Sequence, residues 1–281
     1  MPRAALLCLF LSSASLASAQ TPDFVVYSYE TRQAELTVTL NGFPLTVTTA
    51  EQSGFGTQPV NLHLRPTGNR LTVSYRPLVP EGGVPADTTQ AYLRLALASA
   101  QAGSMVDTGD AGDLVSIERT GAGGRLDTVA TFDLPADWAT RMALGARYDT
   151  LPVLADEDAL RAYAHALLLR FAERDMDAVL EAFRPFLEDQ HQAMAPQLGG
   201  MARDAFMRRT HEDLDANLAQ MTTPTDVSPE ALVLTPWAEG RLWKVTRPDG
   251  RALLLAEDGE GGTISFHIYL GEVDGALHVV R

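Results

Sequence analysis

The period of the apolar residues changes twice along this chain, and each change restricts what the segment can become. From Phe24 to Leu134 apolar and polar residues alternate, with many β-branched side chains, which is the pattern of half-buried strands. Between Asp156 and Gln220 the apolar residues recur at three and four positions, as on one face of a helix. Beyond Pro229 the period returns to two. The expected order is therefore an all-β antiparallel sandwich over residues 20–150, followed over 151–281 by an α+β domain in which helices precede a four-stranded antiparallel meander.

In the first part, Ala34-Glu-Leu-Thr-Val-Thr-Leu40 alternates and runs directly into Asn41-Gly42, the strongest short-range hairpin signal. Further strands are expected over 45–49, 60–64, 70–78, 91–100, 113–119 and 126–134, separated by Gly, Pro, Asp or Asn clusters. The stretch Thr37–Thr49, containing Asn41-Gly42, and then Pro59–Pro77, with Gly68, Asn69, Leu71 and Val73, resembles the jelly-roll sandwiches that accompany many glycoside hydrolases. The likeness covers about 50 residues and its motifs specify turns, so it implies a scaffold and assigns no sugar-binding residue. Asp107, Asp110 and Asp113 could offer three carboxylates to Ca²⁺, but they lack the spacing of a calcium loop and read as a solvated turn. Gly121-Ala-Gly123-Gly124 opens no helix and reads as a hairpin turn rather than a phosphate cradle.

In the second part, Asp156 is placed to cap a helix whose buried stripe is Leu160, Tyr163, Leu167, Leu168 and Phe171. Asp175 is placed to cap a second helix, carrying Val179, Leu180, Phe183 and Leu187, which Pro185 should kink or break. Gly199-Gly200 interrupts, and a third helix runs to about Gln220 with Leu214 and Leu218 in register. Turns at Asp249-Gly250, Asp258-Gly259 and Asp274-Gly275 then divide the tail into strands. A two-residue turn at Asp274-Gly275 sets Gly271 opposite His278 and Leu270 opposite Val279. One face then collects Ile264, Phe266, Ile268, Leu270, Leu277 and Val279, which should pack on the helices. The other carries Ser265, His267, Tyr269, Gly271, His278 and Val280, and its polar members His267, Tyr269 and His278 are the candidate ligand-binding residues. Helices followed by a sheet ending in Val273-Asp-Gly-Ala-Leu-His-Val-Val-Arg281 resemble the NTF2-like cone fold, over about 125 residues. That resemblance implies a pocket beside the sheet, in a family that spans enzymes and pure binding domains, and it matches no acid or base to a position here.

Residues 1–19 read as a signal peptide, with Arg3, an apolar run up to Leu11 and the small-residue cleavage pattern Ala17-Ser18-Ala19. Cys8 is the one cysteine, so the exported chain would hold no disulfide and must rely on buried cores. Removing Arg3 with the leader leaves 21 basic against 36 acidic side chains, a balance that repels nucleic acid and anionic lipid. Residues 20–150 carry 9 basic and 14 acidic groups and 151–281 carry 12 and 22, so the excess lies in the second part. Lys244 is the only lysine; that arginine bias fits a bacterial, periplasmic protein. No window is long and apolar enough for a membrane span.

A nucleophile elbow, a phosphate loop and a zinc-protease helix are all missing from the sequence, and no cofactor is expected. His211 with Asp215, joined by His191 or His165, would supply only part of a metal site. Trp138, Trp237 and Trp243 read as core or interface residues, Trp237 at the seam of helices and sheet. The favoured function is a non-enzymatic binding or accessory protein whose partner is a protein or small molecule of the cell envelope. Two alternatives stand beside it: an envelope hydrolase or isomerase using His267 or Tyr269 for proton transfer, and a carbohydrate- or cell-wall-binding module with Tyr75 and Tyr92 exposed.

Overall fold

The computed structural model describes residues 22–48, 54–77, 91–102, 113–120 and 125–281. The described residues of the first part form eight strands: β1 (Phe24–Arg32), β2 (Ala34–Leu40), β3 (Phe43–Thr48), β4 (Gly54–Pro59), β5 (Asn69–Pro77), β6 (Tyr92–Ala100), β7 (Asp113–Thr120) and β8 (Leu126–Phe132). They form two antiparallel sheets, ordered β4-β1-β6-β7 and β3-β2-β5-β8. Alternate residues of both fill one core, in which Tyr27 and Leu95 of the first sheet meet Leu36, Val38, Leu71 and Val73 of the second. Each such apolar side chain contributes about 1.5–3 kcal/mol on leaving water, and their period of two is what selects the sheet over a helix.

Asn41-Gly42 closes the β2–β3 hairpin as expected, with Leu40 opposite Phe43 and both turn residues at positive φ, 52° and 88°. The Asn41 side chain binds the turn to its surroundings, accepting from Arg70 N at 2.8 Å and donating to His63 O at 2.7 Å. Asn69, wholly buried, exchanges hydrogen bonds with the Arg65 backbone at 2.8 Å on both sides. The Asn-Gly and Gly-Asn motifs thus close one end of the second sheet.

Residues 60–64 are not the expected strand. Asn61–His63 forms a 3-10 turn, with Val60 and Leu64 buried on either side. The Asn61 side chain stands in for a ladder, accepting from Val25 N at 2.9 Å and donating to Asp23 O at 3.2 Å. The strand beside β1 is β4 instead, which has little alternation because Gly56 must lie flat on the Tyr29 ring; a Cβ there would come within 2.6 Å of it. The Asp107 and Asp110 carboxylates and the run Gly121–Gly124 lie outside the described residues. The strands flanking that run, β7 and β8, pair in different sheets, so they do not form a hairpin with one another.

A short helix α1 (Ala136–Met142) and a 3-10 segment (Leu144–Thr150) lead to α2 (Glu157–Glu173), α3 (Met176–Ala182), α4 (Arg184–Met194) and α5 (Arg203–Leu218). The expected caps form: Asp156 accepts from Ala159 N at 2.9 Å and Asp175 from Ala178 N at 3.3 Å, each satisfying a free donor of the first turn. Pro185 separates α3 from α4, because its ring cannot continue the α3 ladder but fits a first turn. No helix among the described residues is long and apolar enough to cross a membrane.

The tail holds six strands rather than four: β9 (Val233–Trp237), β10 (Leu242–Thr246), β11 (Leu254–Glu257), β12 (Thr263–Phe266), β13 (Ile268–Val273) and β14 (Ala276–Val279). Four make the antiparallel meander β14-β13-β10-β9, and β11-β12 is a separate hairpin inserted between β10 and β13. The break falls at His267, where the chain leaves the hairpin and enters the meander. The expected register holds, Gly271 against His278 and Leu270 against Val279. All six residues of the expected apolar face join one cluster with Leu160, Leu168 and Phe171 of α2.

Candidate functional site

Four helices and the β11–β12 hairpin leave a cavity of about 350 Å³ in the C-terminal part. It arises from the pattern of α5, whose inward stripe at four-residue spacing is Phe206, Thr210, Leu214 and Leu218. Only Leu218 of that helix is fully buried, and the short Thr210 stands where a large side chain would close the core. Across the gap lie Phe183 and Phe186, set at the α3–α4 junction by the Pro185 break, and Phe266 of β12. These rings meet edge to face, Phe266 with Phe171 at 6.0 Å and with Phe183 at 6.2 Å, an arrangement that holds an aromatic wall in place.

Nine of the eleven lining residues are apolar, and the other two are Gln190 and Thr210. The Thr210 hydroxyl donates to Phe206 O at 3.0 Å, as a helical threonine does. The Gln190 amide forms no hydrogen bond among the described residues, so it is the polar group free to meet a ligand. Neither a carboxylate nor a cation lines the space. The adjoining surface, which shares Leu180 with the cavity, carries Asp177, Glu181, Glu188 and Asp204 against only Arg184 and Arg203. Both arginines are already paired, Arg184 with Glu181 and Arg203 with Glu188 at 3.1 Å.

The three candidate residues of the meander are not part of this cavity. His267 is exposed at the strand break, and partial burial, followed by the Lys244 charge, lowers its pKa. Tyr269 is buried, its hydroxyl held up at a pKa of about 12 by burial, and it packs edge-on against Phe43 at 5.3 Å and Trp237 at 5.5 Å. His278 is half-buried, with Nδ1 enclosed. The face that carries them is covered at its centre by Phe43 and Tyr148 of the N-terminal part and by Leu151, which pack on Leu242, Tyr269 and Val280. Trp237 therefore sits at the seam between the two sheet systems, stacked on Phe43 at 5.7 Å, and not between helices and sheet. Its ring also lies against the hairpin turn, where a Cβ on Gly42 would stand 3.1 Å away.

The seam holds a group that pattern reading passed over. Arg281 is buried, its guanidinium 4.3 Å from the centre of the Tyr148 ring and 5.8 Å from that of Phe43. None of its side-chain nitrogens meets a hydrogen-bond acceptor among the described residues. Burial lowers its pKa, against the pull of Tyr148 and Asp189. Asp189 of α4, also buried, binds Arg147 and accepts from the Tyr148 hydroxyl at 2.8 Å. The cation just after the last strand thus stacks on the 3-10 segment, whose Arg147 and Tyr148 in turn reach α4 through Asp189.

Other expected positions scatter. His211 pairs with Asp177 at 3.4 Å and His191 contacts Met201 O at 2.9 Å; no group of three metal-ligating side chains forms among the described residues. Trp243 is a core residue whose indole donates to Leu154 O at 3.2 Å. Tyr75 is buried and Tyr92 half-buried, whereas among the described residues of the first part the exposed aromatic is Phe55, on β4. Compared with models of protein families, with curated proteins and with solved structures, the chain matches none.

Proposed function

We propose that this chain is an exported, periplasmic, non-enzymatic binding protein, a β-sandwich joined to an NTF2-like domain, that takes a small apolar ligand between α3, α4, α5 and the β11–β12 hairpin. The observation that carries this reading is the cavity of about 350 Å³ with nine apolar lining residues. It falls in the range of about 300–1,000 Å³ and has the mostly apolar lining typical of small-molecule sites. Its lining offers an amide and a hydroxyl but no histidine, carboxylate, amine or thiol to move a proton or attack a bond, which favours binding over turnover. Helices packed on an antiparallel meander, with a space lined by those helices and the β11–β12 hairpin, support the cone-like reading of this part. The compartment rests on the leader pattern of residues 1–19.

The test is a fluorescence titration with 1-aminonaphthalene, a small fluorophore uncharged at neutral pH. Saturable, one-to-one binding is expected, weakened at least about tenfold by Leu214→Trp, which fills the space with an indole; the variant's circular dichroism checks that the fold persists. Absence of saturable binding, or binding indifferent to that substitution, would remove the cavity as the site.

A further inference from the structure

We infer that the ligand of this cavity is an uncharged molecule with an aliphatic or aromatic body and one hydrogen-bonding head group, such as an alcohol, ester or amide, and that the site discriminates against carboxylates. The inference rests on the cavity being the binding site and adds the chemical class.

Three observations converge on it. The first is size. At about 30 Å³ per heavy atom, the share of a water molecule in the liquid, 350 Å³ holds roughly a dozen non-hydrogen atoms. The second is the polar complement: Gln190 is half-buried at the wall and its amide has a donor and an acceptor to give, while Thr210 has already spent its proton on Phe206 O. A neutral head can exchange hydrogen bonds with that amide, so it is not stranded without a partner on leaving water.

The third is charge. An ionised head drawn among Phe183, Phe186 and Phe266 would lose hydration with no cation in the lining to replace it. Nor does the adjoining surface help an anion, because its four carboxylates outnumber its two arginines and both arginines are engaged. A long-chain acid therefore faces desolvation inside and repulsion from the adjoining surface, whereas the corresponding alcohol faces neither an ionic desolvation cost nor that repulsion.

The experiment is isothermal titration of the full chain with 1-decanol and with decanoate, each below its aggregation threshold, with 1-aminonaphthalene and naphthalene run alongside. The alcohol is expected to bind at least about tenfold more tightly than the acid anion at neutral pH. Gln190→Leu is expected to weaken 1-decanol severalfold while leaving naphthalene, which has no head group, unchanged. Decanoate binding as tightly as 1-decanol, with 1-aminonaphthalene also bound, would overturn the assigned ligand class and leave the cavity reading standing. Undiminished 1-decanol affinity in Gln190→Leu would overturn the role given to the amide. Failure of all the probes would overturn both this inference and the binding reading beneath it.

Discussion

His63 shows how one side chain can report the integrity of the seam. Part of the residue reaches solvent, but its Nδ1 is enclosed without a partner, and the ring lies 5.5 Å from that of Phe43. Burial first, and the nearby Arg281 charge second, lower its pKa from 6.5 to about 3, so the folded protein keeps it neutral. Between those two values the unfolded chain binds a proton that the folded chain does not, so stability is full above about pH 6.5 and is lost as the pH falls through the window. The slope from this group is at most about 1.4 kcal/mol per pH unit. Urea titrations between pH 6.5 and 5, above the range where most carboxylates titrate, should show that slope reduced in His63→Phe, which keeps a ring against Phe43. Equal slopes in the two proteins would mean that His63 is hydrated in the folded state.

At the scale of elements, the approach of the 3-10 segment Leu144–Thr150 to the turn at 61–63 depends on one missing side chain. Gly145 N donates to Leu64 O at 2.9 Å, and a Cβ at that glycine would stand 2.8 Å from both His63 C and Leu64 O. Those are backbone atoms, which cannot swing away as a flexible side chain can. Gly145→Ala should therefore cost about 1–3 kcal/mol by displacing the segment, read as a lower denaturant midpoint with an unchanged slope; a neutral result would show that the two backbones part freely. The same comparison explains which elements were legible. The caps Asp156 and Asp175, the break at Pro185 and the Asn41-Gly42 hairpin are local devices, set by neighbours a few residues away. No strand is expected at β4 and one is expected at 60–64 because what decides both segments, the pairing of β4 with β1 and the bonds of the Asn61 side chain to Val25 N and Asp23 O, involves partners more than twenty residues off.

On the scale of the whole molecule, Phe43 is the hub that joins the two parts, with Trp237, Tyr269, Tyr148 and His63 around its ring at 5.3–6.4 Å. Truncating such a buried ring costs about 3–5 kcal/mol. Here the loss falls on the contact between the parts rather than on either core, since Phe43 belongs to the seam cluster and not to the clusters on each side. Phe43→Ala is therefore expected to split thermal unfolding, seen by calorimetry, into two transitions where the parent shows one. A single transition in the variant would show that the cores are coupled by other contacts. α4 adds a second link, because it lines the cavity with Phe186, Leu187 and Gln190 while Asp189 reaches Arg147 and Tyr148 at the seam.

The alternation of residues by itself determined that the first part is antiparallel sheet, that helices follow with their caps at Asp156 and Asp175, and that Leu270 pairs with Val279 across the last turn. Period, caps and turns are properties of a few consecutive residues, so they can be read before the chain is folded. Which face of the last sheet meets water was not of that kind: Tyr269 looked like a group lining a pocket until Phe43, more than two hundred residues earlier, was found lying on it. The cavity escaped notice for the same reason, because a gap is the absence of volume between α5 and the α3–α4 junction, and no single segment records how far apart two helices come to rest. Local sequence set the elements; the packing of their surfaces decided which residues are buried at the seam, and where room for a ligand remains.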